Sequence, residues 1–417
     1  MGEIILKKLI NLVNPKLKFG FTRLIRNFDS MVKRNLESAL LQKLKKSPAV
    51  AILGPRQVGK TTLAKQLKSD QHESLYLDME NPNDQNKLQD AFSYLTLHED
   101  SRIIIDEIQL MPSLFAVLRP LIDAKRTAGR FILLGSASPL LVKGVSESLA
   151  GRIAYTELTP IGITELTDQL DYKMNWFRGG FPEALLATDD DYAIEWLDDF
   201  IRSYVERDLA ILFGVTLSSV TLRNFWSMLA HSNGNLLNAE VFARSLGVSA
   251  TTVMKYLDFL EGGYMVRRLQ PWFVNAKKRL IKSPKTYIRD TGILHRLLNI
   301  SNLDNLFGHP GAGGSWEGYV VEQIFQAKPD HLDLFFYRTQ AGAECDLLLV
   351  QGITPVACIE IKLSNAPVVS RGFLNCIQDL EPKSSFIITP QSDTYVASHD
   401  VTITSLSAFI ATRLDLL

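Results

Sequence analysis

The chain has 417 residues, room for two or three domains, and its 45 basic and 45 acidic side chains leave no net charge. With 46% hydrophobic and 22% charged residues it has the composition of a globular protein with sizeable cores, and no global charge draws it to nucleic acid or membrane. Its three cysteines, Cys345, Cys358 and Cys376, are odd in number and form no CxxC pair, which excludes a disulfide framework and a zinc site and fits a reducing cytoplasm.

The first element in chain order is a basic extension, residues 1–34. Its apolar residues are broken by Lys7, Lys8, Lys16 and Lys18, which rules out a signal-peptide core. It reads as a packing extension or as an amphipathic helix for an anionic surface. No apolar run in the chain approaches the roughly 20 residues that span a bilayer.

From Pro48 to Pro160 short apolar runs alternate with helical spacing, the mark of an α/β domain placed at residues 35–165. AVAIL (49–53), LYLD (75–78), RIIID (102–106), FILLG (131–135) and IAYTEL (153–158) read as buried parallel strands. TTLAKQLKS, SLFAVLRPLIDAKRT and PLLVKGVSESL read as the helices between them. A helical region is placed at 166–300, then the glycine-rich GHPGAGGS as a flexible linker, then a last α/β domain at 308–417.

Gly54, Pro55, Arg56, Gln57, Val58, Gly59, Lys60 and Thr61 fit the pattern G-x-x-x-x-G-K-[ST] between a strand and a helix that continues through Thr62. The glycines let successive N–H groups face the phosphates of ATP, and the helix N-terminus adds partial positive charge. Lys60 would reach the β- and γ-phosphates, and Thr61 would ligate Mg²⁺. RIIIDE ends in two acids: Asp106 would hold the Mg²⁺, and Glu107 would orient the attacking water as general base. Ser136 or Ser138, at the end of FILLGSAS, would sense the γ-phosphate. Arg152, in LAGRI, is the cation for the transferring phosphoryl group, within its own chain or towards a second copy in a homo-oligomer; a surface arginine opening a strand has the same pattern. Asp78 would lead the water or cap a turn.

Together GPRQVGKTTLAKQL, YLDMEN, RIIIDEIQ, LLGSASPLLVKGVSESLAGRI and GGFPEAL resemble a large prokaryotic family of AAA-type ATPases, over residues 35 to 400. The resemblance implies the P-loop class with an additional strand, an acid beside the magnesium-binding Asp106, and a role for Arg152. It also implies a helical region and a C-terminal domain after the ATPase domain.

Within the helical region, residues 238–269 have the layout of a winged helix-turn-helix: EVFARSL, a turn at Gly247, and a second helix capped by Ser249. Ala250, Thr251, Thr252 and Lys255 would face a DNA major groove, with Lys277, Lys278, Arg279, Lys282 and Lys285 as phosphate contacts. Asp258 and Glu261 oppose DNA, and a lid or subunit contact is the other reading. Asp290 and Gly292 in RDTGI match the family, and His295 is a packing or surface residue rather than a ligand.

The last domain carries Glu317 on a helix, Asp346 opening a strand, and Glu360 and Lys362 sharing one face of CIEIKL. An antiparallel hairpin would set Asp346 beside Glu360, where carboxylates can hold Mg²⁺ and Lys362 can stabilise a pentavalent phosphate. This order resembles the PD-(D/E)xK nuclease superfamily, with Cys345 in place of its proline and Glu344 as an extra acid. The resemblance implies a restriction-endonuclease-like fold. Two functions follow as expectations: a Mg²⁺-dependent ATPase coupled to a DNA-binding, nuclease-like domain, or a nucleotide-dependent switch that docks a protein partner through an inactive C-terminal domain.

Overall fold

The computed structural model describes residues 32–67, 74–137, 149–167, 170–209, 218–273 and 281–417. The basic extension up to residue 31, residues 138–148 (Ser138 and all of PLLVKGVSESL but its last leucine), and Lys277, Lys278 and Arg279 lie outside the described residues.

The first sheet contains β1 (Ala49–Leu53), β2 (Ser74–Asp78), β3 (Arg102–Asp106), β4 (Phe131–Gly135) and β5 (Ile153–Glu157). All pair in parallel, in the order β2-β3-β4-β1-β5. Every residue of β1 and β4 is buried, as expected of central strands covered on both faces. β2 and β5 form the edges and are mostly half-buried, each with one exposed residue. Side chains alternate across the sheet: Ala49, Ala51 and Leu53 enter one core, Val50 and Ile52 the other. Helices α1 (Leu36–Leu44) and α2 (Lys60–Gln66) cover the second face, and α3 (Leu114–Ala124) the first.

The middle region is helical. It comprises α4 (Tyr172–Arg178), α5 (Asp190–Ser203) running into a π-helical turn at Tyr204–Asp208, and α6 (Ser219–His231). Next come α7 (Ala239–Leu246) and α8 (Ala250–Gly262). Gly247 stops α7 in the left-handed conformation, at φ 66°, and Ser249 caps α8 by accepting from Thr252 N at 3.1 Å. An antiparallel pair, β6 (Val266–Leu269) with β7 (Lys285–Ile288), completes the unit.

The last region contains α9 (Thr291–Leu297), α10 (Ala312–Ala327) and a mixed sheet. Its strands are β8 (Leu332–Arg338), β9 (Glu344–Gln351), β10 (Thr354–Ile361), β11 (Ser384–Thr389), β12 (Tyr395–Val396) and β13 (Val401–Ser405), ordered β12-β13-β11-β10-β9-β8. Helices α11 (Arg371–Leu380) and α12 (Leu406–Thr412) flank it.

Two features differ from the sequence reading. GHPGAGGS does not form an extended linker: Gly308 ends a short helix from Leu303, and α10 begins at Ala312. Gly314 in it serves a close approach. A Cβ on Gly314 would lie 2.9 Å from Asn233 O, and Asn233 Nδ2 donates to Gly314 O at 2.9 Å. One apolar core then continues from Trp176 through Trp316 to Leu414, joining the helical region to the last sheet.

The two family motifs GGFPEAL and RDTGI form one joint. Buried Asp290 accepts from Gly180 N at 2.8 Å and from Ile293 N, capping α9. A Cβ on Gly292 would come within 2.1 Å of Arg178 O, and one on Gly179 within 2.2 Å of Asp290 Oδ1. His295 is packed inside, between Phe177 O at 2.9 Å and Ser315 Oγ at 2.7 Å. Trp176 Nε1–H also donates to Ser315 Oγ, so the Ser315 hydroxyl donates to Nε2 and the Nδ1 proton goes to Phe177 O. Burial pushes its pKa down to about 4.

Candidate functional site

The loop Gly54–Gly59 leaves the C-terminal end of β1 and enters α2. Gly54 (φ 148°) lies so close to Leu158 O that a Cβ would come within 2.2 Å; Gln57 (φ 61°) and Gly59 (φ 96°) turn the backbone back on itself. Pro55 and Val58 are buried while Gln57 and Thr62 face solvent. Lys60 is buried and donates to Gly54 O at 3.1 Å, Pro55 O at 2.8 Å and Ser136 Oγ at 3.0 Å. Burial pushes its ammonium down to about 8, against the pull of Glu107 and Asp106. A buried ammonium held only by neutral oxygens is poised for an anion.

Thr61 Oγ1 donates to Asp106 Oδ2 at 2.6 Å, and Tyr76 OH donates to the same oxygen at 2.7 Å. A hydroxyl and a carboxylate side by side are the hard donors Mg²⁺ takes, so these residues fit that ion. Glu107, with φ 50°, accepts from Ser136 Oγ at 3.0 Å and from Gln109 Nε2. Ser136 thus bridges Lys60 and Glu107, where a phosphate entering at Lys60 would be felt at the acid. Arg56 pairs with Asp208 in the π-helical turn and with Glu80. Burial works against its charge, and the Asp208, Glu107 and Glu80 carboxylates more than offset that. Asp78 accepts from Glu80 N at 2.8 Å, the turn-capping alternative.

Arg152 does not join this loop. It precedes β5 at the opposite end of the parallel sheet, where Ala49 N donates to Arg152 O at 3.2 Å. The length of β1, about 16 Å for its five residues, separates it from Gly54. It forms a two-point pair with Asp123 at 2.7 and 2.9 Å. Contact with the nucleotide of its own loop is excluded in this arrangement.

Sequence reasoning missed several supports. Arg34, assigned to the extension, donates to Val58 O at 3.0 Å and Thr159 O at 2.6 Å and bonds Glu165, bracing the loop from behind. No spacing marks it. Tyr76 and Asp208 were equally silent, because their partners lie on other elements, and Gln109 because no pattern ties a glutamine to the acid two residues before it.

In the middle region, Thr251 and Lys255 are exposed, but Ala250 packs partly on the core and Thr252 bonds Ser249. Asp258 and Glu261 are both engaged by Arg268. Lys282 is exposed. Lys285 is not a surface phosphate contact: it is 3% exposed and points into the last sheet.

There the hairpin of β9 and β10 sets Leu347 opposite Ile359, and Asp346 Oδ2 accepts from Ile361 N at 2.9 Å. Ile359 and Ile361 enter the core, and Glu360 lies on the other face, bonded to Lys362 at 2.8 Å and Ser370 Oγ at 2.9 Å. Glu317 reaches in from α10. The centre of the cluster is held by Lys285 Nζ, 2.9 Å from Glu317, 3.3 Å from Asp346 and 3.3 Å from Glu344. Tyr287 OH donates to Glu317 at 2.6 Å. Burial opposes the Lys285 charge, but the Glu317, Asp346 and Glu344 carboxylates hold it above the ordinary lysine range. Burial and the Asp346 charge push Glu317 up to about 7. Among the described residues no group of three or more His, Cys, Asp or Glu is disposed around a metal. The expected ligand set Glu317, Asp346 and Glu360 therefore does not fit Mg²⁺ as it stands, because an ammonium takes the shared position.

The parallel sheet, with β4 inserted between β1 and β3, and the loop with its paired acids define an AAA-type P-loop ATPase domain, and residues 46–167 match the model of an AAA domain. Residues 169–304 and 312–409 match two domains of unknown function, DUF8612 and DUF4143. An uncharacterized protein of Mycobacterium tuberculosis is 40% identical over 371 residues, 88% of this chain and 83% of its own length, and the chain belongs to its family. An uncharacterized protein of Methanocaldococcus jannaschii is 23% identical over 84% of this chain and 82% of the relative. The Walker-type ATPase of Pyrococcus abyssi aligns with 65% of this chain and 97% of its own, at 15% identity and TM-score 0.43. No described helix is long and apolar enough to cross a membrane.

Proposed function

We propose that the protein is a Mg²⁺-dependent ATP hydrolase whose loop acts as a switch on the helical and C-terminal regions. The observation that carries this is the continuous set Lys60–Ser136–Glu107 with Thr61 and Asp106 around one loop. Lys60 and the loop N–H groups bind the phosphates, Glu107 takes a proton from the attacking water, and Ser136 reports which state the site is in. Bound Mg²⁺ would neutralise charge on the phosphates. Arg56 supplies the outward link, since the loop holds Asp208 of the helical region through it. A second link joins the edge of the ATPase sheet: Arg289 bonds Glu157 at 2.5 Å and Glu322 of α10 at 3.1 Å.

For Glu107→Gln we expect ATP to be retained and turnover to fall about 10²- to 10⁴-fold, measured by phosphate release and nucleotide retention. Normal turnover in that variant removes the assignment. Arg152 acts on a neighbouring copy in this reading: Arg152→Ala and Lys60→Ala, each inactive alone, should regain turnover when mixed.

For the C-terminal domain, the placement of Asp346 against β10 beside Glu360 supports a nuclease-like, DNA-binding reading. Lys285 within the carboxylates favours the other one, a platform that docks a partner without cleavage. Incubation with DNA, Mg²⁺ and ATP separates them. Cleavage lost in Asp346→Ala and Glu360→Ala supports the nuclease, and equal background in all three supports the platform.

A further inference from the structure

Lys285 opens β7, a strand of the middle region, yet its ammonium lies among carboxylates of the last sheet and α10. The backbone fixes it there: Gly234 N donates to Thr286 O at 2.8 Å, Thr286 N to Asn235 O at 3.1 Å, and Leu237 N to Pro284 O at 2.8 Å. Two residues along the strand, Tyr287 secures the Glu317 oxygen that Lys285 also binds. The rest of the cluster is compensated from within the chain as well. Arg338 lies 3.5 Å from Glu344, and Lys362 lies 2.8 Å from Glu360. Four carboxylates therefore meet three cations, and Glu360 Oε2 alone among the cluster's oxygens is buried without a hydrogen-bond partner.

A hard divalent ion needs about six oxygens at roughly 2.0–2.1 Å. The Glu317 and Asp346 oxygens that would supply them converge instead on the Lys285 nitrogen at 2.9 and 3.3 Å. Ion and ammonium cannot share those oxygens.

We propose that Lys285 is the resident cation of the C-terminal carboxylate site, filling the position a divalent ion would take, so that the site admits no metal while that ammonium is in place. The inference rests on the nuclease-like reading of this domain for its choice of ion. It does not depend on the ATP site. β7 continues into Arg289, whose pair with Glu157 ties it to the edge of the ATPase sheet, so the strand that carries the plug also touches the nucleotide-binding region. The lock is an autoinhibitory contact built from one lysine.

The test is Mn²⁺ uptake by the full chain without nucleotide, followed by calorimetry and by the thermal midpoint. Wild type should take up no Mn²⁺ that Asp346→Asn abolishes. Lys285→Ala should gain one Mn²⁺ per chain that wild type does not take up, with a midpoint that rises on adding Mn²⁺. The gain should vanish in Lys285→Ala combined with Asp346→Asn. Lys285→Met keeps the buried stem and serves where the alanine variant does not fold. Uptake by wild type that Asp346→Asn abolishes overturns the proposal whatever the variants do, and so does a folded Lys285→Met that gains no ion. ATP uptake, measured separately and abolished by Lys60→Ala, tells failure of this lock from failure of the ATPase reading.

Discussion

Lys60 and Lys285 are both buried lysines that open their elements, α2 and β7, and their surroundings are opposite. Lys60 is held by two carbonyls and a serine hydroxyl, with its acids one step further away, and burial lowers its pKa to about 8. Lys285 touches three carboxylates directly and is held above its ordinary range. The Lys60 ammonium faces neutral oxygens, and the Lys285 ammonium is already surrounded by carboxylates. The same residue type marks a ligand site in one region and closes one in the other, and only the partner atoms distinguish the cases.

The largest effect should come from Lys60→Ala. Removing the buried ammonium of the loop should lower kcat/KM for ATP at least about a hundredfold. A variant that hydrolyses ATP normally would break the comparison at its first half. Next is Lys285→Ala without added metal, which leaves three half-buried carboxylates facing one another without their buried ammonium and should cost about 3 kcal/mol in denaturant unfolding. Near-zero cost would mean that the ion pairs are not what closes the site.

His295 sharpens the comparison as a buried base with no charged partner. Its folded pKa of about 4 lies below the ordinary 6.5, so only the unfolded chain binds its proton between those values. Stability from this group is present above pH 6.5 and is lost on acidification towards pH 4. Asp290, raised to about 6 by burial, works in the opposite sense over the lower part of that window. The comparison with His295→Asn isolates the first effect: the cost of the substitution should shrink by up to about 3 kcal/mol between pH 6.5 and 4. The smallest effect belongs to Lys362→Ala. Its side chain is 40% exposed, so loss of the Glu360 pair should change stability by less than about 1 kcal/mol. A larger loss would make Lys362, rather than Lys285, the cation on which the cluster depends.

Much of this molecule was legible in the chain. The apolar runs AVAIL, RIIID and FILLG gave three central strands residue for residue, because a strand buried on both faces is apolar throughout. The loop and its paired acids were legible because residues close in sequence, or at neighbouring strand ends, carry that chemistry. Alternation along CIEIKL likewise put Glu360 and Lys362 on one face by local geometry.

Tertiary structure decided the rest. Arg152 reads as a partner of the loop until the parallel register puts it at the other end of the strands. GHPGAGGS reads as a linker until Asn233 packs against Gly314. Lys285 sits in a basic run that looks solvated, and it is buried because β7 packs against residues 32 and 61 positions away. Local periodicity and spacing determine which elements form. Whether a charge ends beside an opposite charge, a neutral oxygen or water depends on contacts between distant elements, and those contacts separate a nucleotide site from a plugged one.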